Sequence, residues 1–300
     1  MSSTGRLGIG IISAGKVGAT LGNALRGQGH AIIGAYAASE DSQERLATLL
    51  PGVPALEITE IVERAELVLL AVPDDELAPL VAGLAKLSAW QAGQIVIHTA
   101  GRYGAEVLAP ARALGALCLA IHPAMTFTGT SLDIARLRGC PFAVTAPASL
   151  QPIGQALVTE IGGEPVIVAE ADRTAYHMAL SHGANHSVTL ISQSLQILEK
   201  IGIANPGEYL RPLMQAAVEG ALQSGDALLT GPISRGDTGS VAAHLQALQE
   251  LSEEDSSCVH TAATYRTLGI ATVARAAWRG KISESKAAEL LALLTGEAAE

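Results

Sequence analysis

A few polar side chains in an otherwise apolar chain stand where chemistry can use them. His122 opens the run His122-Pro123-Ala124-Met125-Thr126-Phe127-Thr128-Gly129, directly behind the apolar stretch Gly115 to Ile121. A histidine there can hand a proton to an atom whose neighbouring carbon is being reduced, or it can simply be held by loop backbone. His98-Thr99-Ala100-Gly101-Arg102-Tyr103-Gly104 follows the preceding apolar run in the same way. Its Arg102 suits either a bidentate clamp on a carboxylate or the exposed start of a helix. Further on, His182, Asn185, His186 and Thr189 fall at i, i+3, i+4 and i+7, one face of a helix. Such a face meets solvent, another polar surface or a substrate, and a substrate suits it best. A zinc pair on His182 and His186 lacks both the intervening glutamate and a third ligand, so no metal is expected. Last comes Leu229-Thr230-Gly231-Pro232-Ile233-Ser234-Arg235-Gly236-Asp237. Arg235, the only basic group there, is a candidate anion anchor beside Thr230, while Asp237 or Ser240 can cap the following helix.

The element that must serve these groups is Leu7 to Gly29. An apolar strand, Leu7 to Ser13, feeds the turn Ser13-Ala14-Gly15-Lys16-Val17-Gly18 and then a helix ending near Gly27 or Gly29. Unpaired N–H groups and the positive dipole end of that helix form a phosphate cradle. Gly15 lets a pyrophosphate approach the backbone, and Gly18 lets helix and strand pack closely. The pattern is G-x-G-x-x-G with Ser13 in place of the first glycine. A second strand, His30 to Ala37, completes a βαβ unit, so dinucleotide binding is expected. After that strand Ser39 suits a 2′-phosphate, with Arg45 one turn on, whereas Glu40 or Asp41 suits a free ribose hydroxyl. The residues leave NADP against NAD open.

Val68 to Val72 reads as a fourth strand whose end, Val72-Pro73-Asp74-Asp75, lies at the ligand edge of a doubly wound sheet, with Asp74 or Asp75 capping a helix to about Leu87. Gln94 to His98, Gly115 to Ile121, Phe142 to Thr145 and Pro165 to Val168 read as further strands, the last two flanking a helix from Leu150 to Ile161. Strands alternating with helices predict a parallel sheet covered on both faces. From Ala171 onward long 3.6-period helices take over: 172–201, 207–224, 240–248, 261–278 and 283–294, with Pro206 and Pro212 marking a break at the second. The expected domains are 1–169, sheet-based, and 170–300, all-helical, with the first long helix bordering the cleft between them.

The chain has 300 residues, 49% hydrophobic and 16% charged, and a formal net charge of −10, which disfavours nucleic-acid and anionic-membrane partners. No run approaches the length of a membrane span and the first residues carry no secretory h-region, so a cytoplasmic protein is expected. Three scattered cysteines, Cys118, Cys140 and Cys258, fit a reducing compartment.

The segments His98-Thr99-Ala100-Gly101-Arg102-Tyr103-Gly104, His122 to Gly129, His182-Gly183-Ala184-Asn185-His186 and Leu229 to Asp237 make the chain similar, over nearly its whole length, to a family of two-domain Rossmann-like proteins known as oxidoreductases in outline only. That family is related to 6-phosphogluconate dehydrogenases, pyrroline-5-carboxylate reductases and ketopantoate reductases. The resemblance implies a Rossmann domain followed by a 6-phosphogluconate-dehydrogenase-like helical domain, NADP(H) with NAD as the alternative, and a homodimer built through the helices. It further implies reduction of a small carboxylated compound, 2-dehydropantoate being the specific expectation. Ser13, Ala14, Gly15, Lys16, Val17, Gly18, Ser39, Val72, Pro73 and His98 would then hold the cofactor, His122 or His182 would donate the proton, and Asn185 would orient. Arg102, His186, Thr230 and Arg235 would bind the substrate. His122-Pro123-Ala124-Met125 also resembles the His-Pro-Met loop of prephenate dehydrogenases. The departures are Ser13, Ala100 where a serine is usual, and Ser181-His182-Gly183-Ala184-Asn185 where hydroxyacid dehydrogenases carry a catalytic lysine. They leave room for a non-catalytic NADP(H) sensor, and a deazaflavin-linked oxidoreductase would keep the same fold.

Overall fold

In the computed structural model residues 6–296 are described. The chain divides into two compact units, Met1–Gly183 and Ala184–Glu300. The first is built on β1 (Gly8–Ile12), β2 (Ala31–Tyr36), β3 (Leu67–Leu70), β4 (Ile95–His98), β5 (Leu117–Pro123), β6 (Pro141–Thr145) and β7 (Glu164–Ile167), in the spatial order β2-β1-β3-β4-β5-β6-β7. Around it lie α1 (Lys16–Gly27), α2 (Glu40–Leu49), α3 (Ile58–Arg64), α4 (Asp74–Lys86), α5 (Ala109–Arg112), α6 (Leu132–Arg136) and α7 (Gln151–Glu160).

The central strands are apolar on both sides because both sides are covered. Leu67 and Leu69 enter one core with Ile9, Ile11, Leu119 and the α1 residues Leu21 and Leu25, while Val68 and Leu70 enter the other with Ile61, Val62 and the α4 residues Leu77 and Val81. Alternation across a sheet buried on both faces gives such continuous runs. Each fully buried Leu, Ile or Val contributes about 1.5–3 kcal/mol.

Five differences from the sequence reading have physical reasons. Leu67–Leu70 is the third strand, not the fourth. Helix α3 is too short to show a clear period in the sequence; its buried residues are Ile61 and Val62, with Ile58 packed against the same core. Asp74 and Asp75 do not cap α4: Pro73 occupies the cap position and makes no side-chain cap bond. The sheet is not wholly parallel, since β6 runs antiparallel to β5. The connection 124–140 contains only the five-residue α6, no helix long enough to cross a sheet face, so the chain returns from the edge it left. Strand β5 also continues two residues past Ile121, placing His122 in its last turn of pleat opposite Ala143.

Helix α8 (Arg173–Lys200) runs from the first unit into the second, which adds α9 (Pro206–Ser224), α10 (Pro232–Arg235), α11 (Thr238–Glu254), α12 (Val259–Trp278) and α13 (Glu284–Thr295). Asp237 caps α11 through Ser240 N–H and Ser283 caps α13 through Lys286 N–H. Pro206 sits in the first turn of α9 as expected, but Pro212 lies within that helix and does not end it. Val241, Val273, Leu290 and Leu294 form the core of α11–α13. Helix α9 buries no residue, and Tyr209, Leu213, Val218 and Leu222 on it are exposed, as are Val188 and Leu190 on α8. No helix among the described residues is long and apolar enough to cross a membrane.

Candidate active site

The turn after β1 has the shape that a dinucleotide pyrophosphate requires. Ser13 takes φ 77°, the left-handed backbone that glycine normally supplies, and Ala14 N–H donates to Tyr36 O at 2.8 Å. Gly15 occupies the N-cap of α1 and no side chain caps the helix, so its first N–H groups face outward for an anion. A Cβ on Gly18 would lie 2.2 Å from Ser13 O, which fixes glycine there. Ser13, Gly15, Lys16, Ser39, Val72 and Pro73 line a cavity of about 440 Å³ together with Arg45 and Asp41. Val17 packs against the sheet core and Ala14 is buried, so these two shape the turn from behind. Ser39 caps α2 in a reciprocal pair with Ser42. The uncapped start of α1 and the two flanking cations, Lys16 and Arg45, fit a dinucleotide carrying an extra phosphate.

Lys16 and Arg45 meet again at Gly129, the last residue of the segment that begins at His122. Gly129 packs so tightly on both side chains that a Cβ there would lie 2.9 Å from Lys16 Cγ and 3.0 Å from Arg45 Nε. The loop is held by Asp133, a fully buried carboxylate accepting hydrogen bonds from Thr128 N–H, Gly129 N–H and Thr128 Oγ1 at 2.7–2.9 Å. Burial alone would raise its pKa, but those donors outweigh burial and hold it below the usual carboxylate value.

A second constellation gathers at the ends of β4 and β5. His98 is fully buried; Nε2 contacts Gly104 O at 2.8 Å and Nδ1 accepts from Ala100 N–H at 3.1 Å. Both ring nitrogens are thus engaged by its own loop, so His98 shapes that loop and offers a dinucleotide no free ring atom. Burial, aided by Arg173 and His122, lowers its pKa to about 4. His122 lies nearby with Nδ1 2.9 Å from the Tyr176 hydroxyl and His177 edge-on at 6.2 Å. Burial, then Arg173 and His177, lowers the His122 pKa to about 4. Gly101 makes this packing possible: a Cβ there would lie 2.5 Å from His177 Cδ2 and 3.0 Å from His122 Nε2.

The start of α8 brings these parts together. Arg173, 1% exposed, donates from Nε to Tyr103 O and from Nη2 to Ala100 O, and its Nη1 has no partner. Glu170 accepts from Ala105 and Glu106 N–H, so residues 170–177 clamp the loop after β4 from outside. Arg173, Tyr176 and His177 escaped the sequence reading, although their i, i+3, i+4 spacing is the same signal that singled out His182, Asn185 and His186 further along this helix.

The other anticipated substrate groups have these surroundings. Arg102 pairs with Asp74 and Asp75, at 3.2 and 2.6 Å, so its charge is already matched by two carboxylates. His182, Asn185 and His186 are exposed on α8, and Thr230 and Arg235 are exposed around α10. Among the described residues no group of three or more His, Cys, Asp or Glu side chains is placed to hold a metal ion.

The sequence matches a Rossmann-like domain over residues 2–123 and a domain of unknown function, DUF2520, over residues 140–272. No curated protein matches it. Among solved structures the chain is similar to a Bacteroides fragilis protein provisionally described as an NADP oxidoreductase, at 19% identity and TM-score 0.74, covering 89% of this chain and 98% of that one. It is also similar to an imine reductase from a Pseudomonas species (15% identity, TM-score 0.64, 97% and 99% covered). A Myxococcus stipitatus imine reductase in complex with NADP+ gives 17% identity, TM-score 0.60 and coverages of 97% and 96%. At these identities the likeness is one of fold. Along the chain a Rossmann-like domain is thus followed by a DUF2520 domain.

Proposed function

We propose that this protein is an NADP(H)-dependent oxidoreductase that reduces a small carboxylated oxo compound, 2-dehydropantoate being the first substrate to assay. The observation that carries the reading is one sheet edge holding both an uncapped glycine turn flanked by Lys16 and Arg45 and a half-buried histidine, His122, beside the bare backbone of Gly101. The dinucleotide supplies the hydride. The chain would bind it on Ser13 to Gly18, with Lys16, Ser39 and Arg45 around the additional phosphate and Val72 and Pro73 against the dinucleotide. His122 would supply the proton; the second unit's own candidates for holding an acid are Asn185, His186, Thr230 and Arg235. The named structural neighbours, which include imine reductases, agree with reduction of a C=O or C=N bond. The exposed apolar sides of α8 and α9 support a homodimer, because uncovered patches of that kind mark association surfaces.

The test is titration of NADPH and NADH by nicotinamide fluorescence, followed by oxidation of the preferred one with 2-dehydropantoate and a panel of oxo acids. Tighter binding of NADPH with turnover of any carboxylated member supports the reading. Binding without turnover across the panel overturns the reductase and leaves a sensor. Light scattering on the same sample gives the oligomeric state.

A further inference from the structure

We infer that Tyr176 sets the working form of His122: its hydroxyl donates to Nδ1 and holds the ring as the Nε2–H tautomer, so that a neutral N–H faces the Gly101 turn and is replenished from the phenol after use. The inference rests on the reductase reading for its use of the proton, but not for the tautomer itself.

The geometry is local to the first turns of α8. Tyr176 Oη and His122 Nδ1 are 2.9 Å apart, with the rings edge-on at 86°. Between a phenol and a neutral imidazole the phenol is the better donor and the bare ring nitrogen the better acceptor, so the proton lies on the tyrosine oxygen and Nδ1 receives. The remaining ring proton is then on Nε2. That atom lies only 3.0 Å from where a Gly101 Cβ would stand, so it faces backbone free of a side chain.

Charge around the ring acts in the same sense. The groups that face His122 are Tyr176, His177 and the Arg173 guanidinium, with His98 behind. Arg173 hydrogen-bonds only to carbonyl oxygens. A nearby cation without a hydrogen-bonded carboxylate disfavours imidazolium, and burial adds to this, so His122 with a pKa near 4 is neutral at pH 7. A neutral ring delivers a proton only if another group refills it. Tyr176 is that group; burial raises its pKa and keeps the phenol protonated at rest, and Arg173, 5.7 Å from its ring, offsets part of that cost when the proton leaves.

The step balances. Hydride adds to the carbonyl carbon, the C=O π pair becomes a lone pair on oxygen, and that oxygen takes the Nε2 proton. Nδ1 takes the Tyr176 proton, and the phenolate recovers one from water. Tyr176 is therefore a positioning residue acting through His122.

The test is long-range proton–nitrogen correlation spectroscopy of the full chain with 15N-labelled histidine at pH 7, using His122→Asn to assign the ring and Tyr176→Phe as the probe. The expected wild-type signals are a protonated Nε2 and a hydrogen-bonded, unprotonated Nδ1, with Nδ1 moving toward its unbonded position and the tautomers mixing in Tyr176→Phe. A protonated Nδ1 in the wild type, or an unchanged spectrum in Tyr176→Phe, overturns the inference. With any oxo acid that turns over, single-turnover NADPH oxidation by Tyr176→Phe should slow about 10- to 100-fold with NADPH affinity unchanged; an unchanged rate also overturns it. If no acid is reduced, the reductase reading falls while the nitrogen spectrum still decides the tautomer.

Discussion

Replacing Gly101 by alanine tests the histidine cluster with one methyl group. The new Cβ would lie 2.5 Å from His177 Cδ2, where ordinary contact begins near 3.4 Å, so His177 must retreat by about 1 Å. His122 Nε2, at 3.0 Å, must yield by a few tenths. Overpacking of this size costs about 1–3 kcal/mol. For a unit of this length that lowers the melting temperature by about 2–4 °C per kcal/mol. A misplacement of about 1 Å at a reacting group costs on the order of 100-fold in rate. Gly101→Ala should therefore melt several degrees lower, bind NADPH normally and lose most turnover. The decisive measurement is a double-mutant cycle in urea with His177→Ala. Removing the imidazole makes room for the methyl, so the double variant should recover at least about 1 kcal/mol relative to the sum of the single changes. Strict additivity would refute the contact.

Three further outcomes follow from the same geometry. His98 and His122 have folded-state pKa values of about 4 against 6.5 for the free side chain; between those values the unfolded chain binds more protons, so the stability they carry is complete above pH 6.5 and lost toward pH 4. At about 1.4 kcal/mol per pH unit this is about 3 kcal/mol per histidine, and urea unfolding of His122→Asn should show a shallower decline over that window than the wild type. Gly18→Ala places a Cβ 2.2 Å from the carbonyl oxygen of Ser13, a backbone atom with nowhere to go, and should cost about 3 kcal/mol or more; a circular-dichroism melt matching the wild type would contradict the packing. Arg45→Ala should weaken NADPH about tenfold by fluorescence titration and leave NADH unchanged, whereas equal weakening of both would remove Arg45 from the phosphate.

Much of the sheet unit was legible because its signals are local. Four-residue runs such as Leu67–Leu70 declare a doubly buried strand, and Ser13 to Gly18 declares the turn that follows one. Strand direction is not local, and nothing in Pro141–Thr145 itself states that it opposes Leu117–Pro123. The site divides the same way. His122 was visible from its place behind a strand, but its partners come from residues 173–177, some fifty positions away, and only the folded chain brings the Tyr176 hydroxyl to its Nδ1. Arg102 shows the converse: a basic residue at the right edge looked free in sequence and is matched by Asp74 and Asp75 in space.

Ser13 carries a wider lesson about how such turns are found. A side chain at φ 77° costs about 1–2 kcal/mol, a sum a domain with this much buried sheet can bear, so the first glycine of the motif is a preference. The glycine five residues later is an obligation, because there a methyl group meets a carbonyl oxygen instead of a torsional penalty. A search pattern that weights the three glycines equally discards chains like this one, while a pattern anchored on the helix–strand crossing keeps them.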